Sequence, residues 1–155
     1  MAFVFLVMFM RDLSVKSPVF ESGKPIPRKY SCDGQDISPP LSIEGTPEAA
    51  KTLVLVVDDP DAPGGTFDHW VVWNIPTSTS KVAENSVPGI EGMNGARQIG
   101  YMGPCPPWGT HRYFFKVYAL DTNLGLSVGS KKRDVEKAIQ GHILAKGELI
   151  GLYSR

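Results

Sequence analysis

Three side chains in this sequence combine reactive chemistry with positions where the chain must turn: Asp59, His69 and His111. Asp59 follows an apolar, β-branched run over residues 51–58 (KTLVLVVD) and begins the turn DPDAPGG, in which prolines fix φ and glycines supply unusual φ. His69 opens the next apolar run, residues 69–75 (HWVVWNI), and His111 opens a third, residues 111–121 (HRYFFKVYALD). If the second and third runs start at the same end of a sheet, both imidazoles converge on Asp59. Imidazole nitrogens donate hydrogen bonds, a bound anion favours their protonated form, and a neighbouring carboxylate fixes a ring's tautomer. Tyr113 lies two residues beyond His111 on the same strand face and adds a phenol. In the loop before His111 (GYMGPCPPWG, residues 100–109), Gly103 is expected to turn a backbone N–H towards a phosphate-like oxygen, because glycine permits close approach. The loop's prolines, Pro106 among them, donate nothing but stiffen it.

The elements that must position these groups read as strands. Run 51–58 is a strand covered on both faces, and its short link to run 69–75 makes an antiparallel pair the simplest topology. Alternation in the third run puts His111, Tyr113, Phe115, Val117 and Ala119 on one face and Arg112, Phe114, Lys116, Tyr118 and Leu120 on the other. Arg112 is expected to pair with Asp61 or Asp58, tying two loops together. Weaker strand signals fall at 15–20 and 96–99, and a short final strand at 149–153. One stretch reads helical: residues 131–140, with Ser130 as N-cap, an apolar stripe of Val135, Ala138 and Ile139, and Gly141 near the end. Glycine (16) and proline (13) punctuate short apolar runs throughout. The fold class is therefore mainly β: an antiparallel two-sheet β-sandwich with one or two short peripheral helices.

Length and charge narrow the functions. At 155 residues the chain has the size of one domain, taken as residues 11–155, preceded by an apolar N-terminal extension over residues 1–10. That extension is far shorter than the roughly 20 residues a membrane span needs. It reads as an extra strand, an arm that packs on a partner chain in a homodimer, or a non-native start; no transmembrane segment and no secretory signal are expected, and the location reads as cytoplasmic. Net charge is zero, so no global field recruits nucleic acid. The basic run Lys131-Lys132-Arg133 is followed by Asp134 and Glu136 and reads as a solvated helix face. Cys32 and Cys105 sit in separate loops; a single bridge between them is left open, and without CxxC spacing they make a poor zinc site. His142 follows the helix and reads as structural.

Several segments carry a resemblance: CDGQDISPPL (32–41), DPDAP (59–63), HWVVWNIP (69–76), GPCPPWGTHRYFFKVYALD (103–121) and GHILAKGELIGLYSR (141–155). In this order they resemble the phosphatidylethanolamine-binding protein / Raf kinase inhibitor protein family, in its short bacterial and archaeal branch. DPDAP alone is a weak signal; its succession by HW and GPCPP…HRY is strong. The resemblance implies an antiparallel β-sandwich with a pocket for phosphate-like anions, including a phospholipid head group. The family's pocket then falls on Asp59, His69, Gly103, His111 and Tyr113, with Asp61 and Pro106 close by. It also implies regulators of kinase signalling, head-group binders or serine protease inhibitors as functional classes. The sequence departs from eukaryotic members in the apolar extension and in ending at Arg155 without a further C-terminal helix.

The function expected is non-enzymatic anion or head-group binding, with no cofactor. Ser38, Ser42, Thr66 and Thr110 lack the strained turn that exposes a nucleophile. The alternative is a serine protease inhibitor that acts through a rigid loop, either the Cys105 loop or residues 90–98. A metalloenzyme built on Asp59, His69 and His111 is the third reading, and it lacks any recognised ligand spacing.

Overall fold

The computed structural model describes residues 11–155, so the extension over residues 1–10 lies outside it. In chain order the elements are β1 (Arg11–Asp12), β2 (Ser14–Lys16), β3 (Lys24–Pro25), β4 (Leu41–Glu44), β5 (Thr52–Asp59), β6 (Phe67–Ile75), β7 (Lys81–Val82), β8 (Ile90–Glu91), β9 (Thr110–Leu120), α1 (Lys132–Ile139) and β10 (Ile143–Ser154). A 3-10 turn spans Arg28–Tyr30. The larger sheet runs β1-β10-β9-β5-β6-β8 with β3 also on β10, and the smaller runs β2-β4-β7.

Central β5 is buried at all eight positions, as a run without polar alternation requires. Its inner face (Leu53, Leu55, Val57) joins Trp70, Phe115 and Val117 in the core between the sheets. Its outer face (Val54, Val56) packs with Val71 and Trp73 against Val135 and Ile139 of α1. The apolar stripe of α1 thus covers the sheet's second face, where β5 needs it.

Most strands follow their sequence pattern, and the exceptions have local causes. The large sheet is not wholly antiparallel, because β1 and β3 both run parallel to β10 along one edge. The final strand is twelve residues long and pairs along the whole of β9. The 15–20 signal yields only β2. Residues 96–99 form no strand, because Asn94 Oδ1 accepts the N–H groups of Ala96 and Gln98 and winds the segment into a turn. The helix is capped at Lys131 rather than Ser130: Asp134 reaches back to accept the Lys131 N–H at 2.9 Å, while Ser130 Oγ donates to Ser127 O. Lys132 departs from the expected solvated face. Its ammonium tucks against the sheet, 3.3 Å from Asp58 and 2.8 Å from Asp68, leaving Lys131 and Arg133 exposed.

Candidate functional site

Strand directions bring the expected residues together. With β9 and β6 both antiparallel to β5, the two histidine-bearing strands begin at the same end of the sheet, where β5 finishes at Asp59. Register does not place Asp59 opposite His69, however; Asp59 pairs with Phe67, and Asp58 with Asp68. The ladder shifts between Val57–Trp70 and Asp58–Asp68, so His69 is the extra residue of a β-bulge. A bulge lets two successive side chains share a face, and both His69 and Trp70 are buried. Strict alternation would have turned His69 outward from the core that holds Trp70.

Each imidazole is then fixed through Nδ1. His111 Nδ1 lies 2.7 Å from Asp59 Oδ2, and His69 Nδ1 lies 2.6 Å from the Met102 carbonyl oxygen. A carbonyl and an ionised carboxylate only accept, so both Nδ1 atoms carry hydrogen and donate. Neither Nε2 has a protein partner, and both rings line a cavity of about 160 Å3 shared with Asp59, Phe67, Pro106 and Tyr113. Drug-sized pockets occupy about 300–1,000 Å3; this one is smaller than that range. Burial lowers the pKa of His69, against the opposing pull of the Met102 carbonyl and Asp59. Tyr113 is 1% exposed; its hydroxyl has no acceptor among the described residues, and the Cys105 backbone N–H lies beside it. Burial, followed by the nearby Asp59 charge, raises its pKa, so the phenol stays a donor.

Behind this cavity runs a rigid chain of polar contacts. Asp59 Oδ1 accepts the Asp61 N–H at 2.8 Å, an Asx turn that orients the carboxylate. Asp61 in turn grips Arg112 through its backbone N–H, Nε and Nη2, all at 2.9 Å. The Arg112 guanidinium holds the Asp61 pKa down at about 2. Arg112 therefore takes Asp61, while Asp58 takes Lys116 and Lys132. Of two larger open hollows, one has Asp58, Lys116 and Lys132 in its lining, charges that already pair with one another, and the other shares Lys116 with Asp12, Lys146 and Glu148.

Not every expected residue meets the cavity. Asp59, His69, His111, Tyr113 and Pro106 line it, whereas Asp61 stands behind Asp59. Gly103 does not offer its N–H to the cavity: that group donates to Asp36 Oδ1 at 2.8 Å. A Cβ at Gly103 would collide with Asp36 Oδ1 and the Tyr30 carbonyl, so this glycine serves close packing of two loops. Cys32 and Cys105 are bridged, with Cα atoms 5.4 Å apart, which fastens the cavity wall at Cys105 to the turn after Tyr30. His142 lies away from the cavity, its Nδ1 2.7 Å from Asp121. Sequence reasoning missed Met102, whose carbonyl fixes the His69 tautomer, and Asp36, whose role depends on a fold-back no local signal encodes. Phe67 was the findable one, an aromatic residue two positions before His69 that begins β6.

The arrangement also bears on a metal. Asp59 accepts from the Asp61 N–H through one oxygen and from His111 Nδ1 through the other. No group of three or more metal-ligating side chains gathers among the described residues. Nor do the described residues include a helix long and apolar enough to cross a membrane.

Comparison with known proteins identifies the family and agrees with the fold. The family model described as phosphatidylethanolamine-binding protein matches residues 16–154. UPF0098 protein PH1269 of Pyrococcus horikoshii is 52% identical over 90% of this chain and 75% of its own length. A UPF0098 protein of Methanothermobacter thermautotrophicus is 48% identical over 92% and 99%. Among solved structures, the phosphatidylethanolamine-binding protein homologue CT736 of Chlamydia trachomatis superposes with a TM-score of 0.90 at 44% identity, covering 94% of this chain and 99% of its own. YbcL of Escherichia coli, described as a new member of the mammalian family, gives 0.86 at 29% identity over 93% and 99%. With its sandwich, its cavity-facing histidines and a family match over nearly its whole described length, this chain belongs to the phosphatidylethanolamine-binding protein family.

Proposed function

We propose that the protein is a non-enzymatic binding protein whose cavity at the β5–β6–β9 end takes a phosphate-like anion, either free or as a head group. One observation carries the reading: among the described residues the buried Tyr113 hydroxyl finds no acceptor, and beside it two imidazoles with unpaired Nε2 atoms line the same cavity. An unsatisfied buried hydroxyl costs about 1–3 kcal/mol, and a bound oxygen would relieve that cost. The Asp59–His111 pair has the form of a general base with its orienting carboxylate, but among the described residues no serine, threonine or free cysteine lines the cavity. Cys105 is locked in a disulfide, and Thr110 Oγ1 is bonded to Ser154 Oγ. Titration with inorganic phosphate is expected to show saturable binding, weakened about tenfold or more in Tyr113→Phe and His111→Ala. Unchanged affinity in both variants would place the ligand elsewhere.

A second reading has its own observation. Trp108 is 69% exposed on the proline-rich loop that the Cys32–Cys105 bridge stiffens, a geometry suited to docking in a protease cleft. Inhibition in a panel of serine proteases that survives His111→Ala and disappears in Trp108→Ala would support it.

A further inference from the structure

Resting on the anion-pocket reading, we infer that this cavity selects a phosphate monoester over a phosphodiester, because the ligand must bring a hydrogen for Nε2 of His69. The Met102 carbonyl can only accept, so the hydrogen of a neutral His69 resides on Nδ1. Nε2 of that ring is then a lone pair at the cavity, and a ligand that displaces water from it has to supply a donor.

The surroundings of the ring hold it in this form. Phe67 packs on it at 4.9 Å and Tyr113 at 5.2 Å between centroids, and the residue is 4% exposed. The titratable or charged groups around it are Asp59 from β5, His111 and Tyr113 from β9, Asp68 from its own strand, and Asp36 from the loop behind Met102. Burial outweighs those carboxylates and favours the neutral ring.

The cavity therefore presents the Tyr113 hydroxyl as a donor and His69 Nε2 as an acceptor, with His111, whose Nδ1 is given to Asp59, beside them. A singly ionised monoester carries both complements: bare oxygens for Tyr113 and one P–O–H for His69. A diester carries acceptors alone. It would set a phosphate oxygen against the His69 lone pair unless a proton were drawn from solvent onto a buried imidazole. A doubly ionised monoester meets the same obstacle, so its binding must take up a proton. The same oxygen chemistry occurs in a lipid head group and in a soluble phosphate, and the hydrogen separates them: the phospholipid head group is a diester.

Isothermal titration calorimetry with phosphoethanolamine, a monoester, and glycerophosphoethanolamine, the corresponding diester, tests this on the full chain. At about pH 6 the monoester is expected to bind at least about tenfold tighter, the usual consequence of one unsatisfied buried polar group. At about pH 8 a phosphate ester has lost its second proton, whose pKa is about 6. Binding there should take up close to one proton, read from titrations in buffers of different ionisation enthalpy. His69→Asn, whose amide can still donate to Met102 O but has no nitrogen at the Nε2 position, should bring the two ligands to within about twofold and abolish the uptake. Equal or tighter binding of the diester by the unmodified protein overturns the inference and leaves the anion pocket standing. Proton uptake that persists in His69→Asn also overturns it, assigning the proton to another group. Saturable binding of neither ligand removes both the inference and the reading beneath it.

Discussion

His69 and His111 use the same ring atom for different purposes. His111 Nδ1 donates to a carboxylate that is itself held by the Asp61 N–H, whereas His69 Nδ1 donates to a neutral carbonyl. Burial depresses the His69 pKa below its ordinary 6.5, and this has a consequence for stability. In the unfolded chain the ring takes a proton near pH 6.5; in the folded protein it resists until lower pH. The unfolded state then binds more protons in that interval, so folding stability is intact above the ordinary value. It declines as pH falls below that value, and the decline ends once the folded ring titrates. Urea midpoints measured down through this interval should fall more steeply for the unmodified protein than for His69→Asn. Parallel curves would mean that the acid sensitivity belongs to other groups. That both histidines line one cavity was legible because each opens an apolar strand beside a Pro/Gly loop. The Met102 carbonyl was not, since a backbone oxygen carries no sequence signature.

At the scale of elements, alternation and turn chemistry located β5, β6 and β9 to within two residues, because each is a long apolar run with clear boundaries. They could not locate the bulge at His69, which adds one residue to a pairing and depends on the partner's register. Short β1 and β3 exist only because β10 offers them an edge. The loop over residues 102–107 illustrates a different limit. Its glycine was read as an anion donor from composition, yet the fold gives that N–H to Asp36. Gly103→Ala should therefore act through packing: the new methyl meets the Tyr30 carbonyl and Asp36, and the loop must shift. We expect a loss of about 1–3 kcal/mol in denaturant unfolding, the usual cost of overpacking. Phosphate affinity should fall with it, since the same loop carries Met102 and Pro106. A variant with unchanged stability would show that the two loops do not meet as described.

Across the whole molecule the cavity is assembled from distant segments: the ends of β5, β6 and β9 and a loop fastened from outside the sheet. The Cys32–Cys105 bridge spans 73 residues and encloses β4 to β8, including β5 and β6 of the large sheet but not β9 or β10. Sequence left this pairing open, because nothing local brings the turn after Tyr30 to the loop before β9. The fold supplies that proximity through Cys32 N–H donating to Pro104 O at 3.1 Å and the Asp36–Gly103 bond. In the chain-entropy account, closing a loop of this length restricts the unfolded ensemble and stabilises the native state by about 4 kcal/mol. A Cys32→Ser/Cys105→Ser variant should lose up to about that amount, lowering the melting temperature by roughly 10 °C for a chain of this size. Its native fold should persist, because the large sheet is held by the pairing of β10, β9, β5 and β6 rather than by the bridge. The bridge also backs the cavity wall at Cys105. Phosphate titration of the folded double variant thus separates two roles. Reduced affinity at temperatures well below its melting point would mean that the bridge pre-organises the wall. Affinity equal to that of the unmodified protein would confine its role to the unfolded chain.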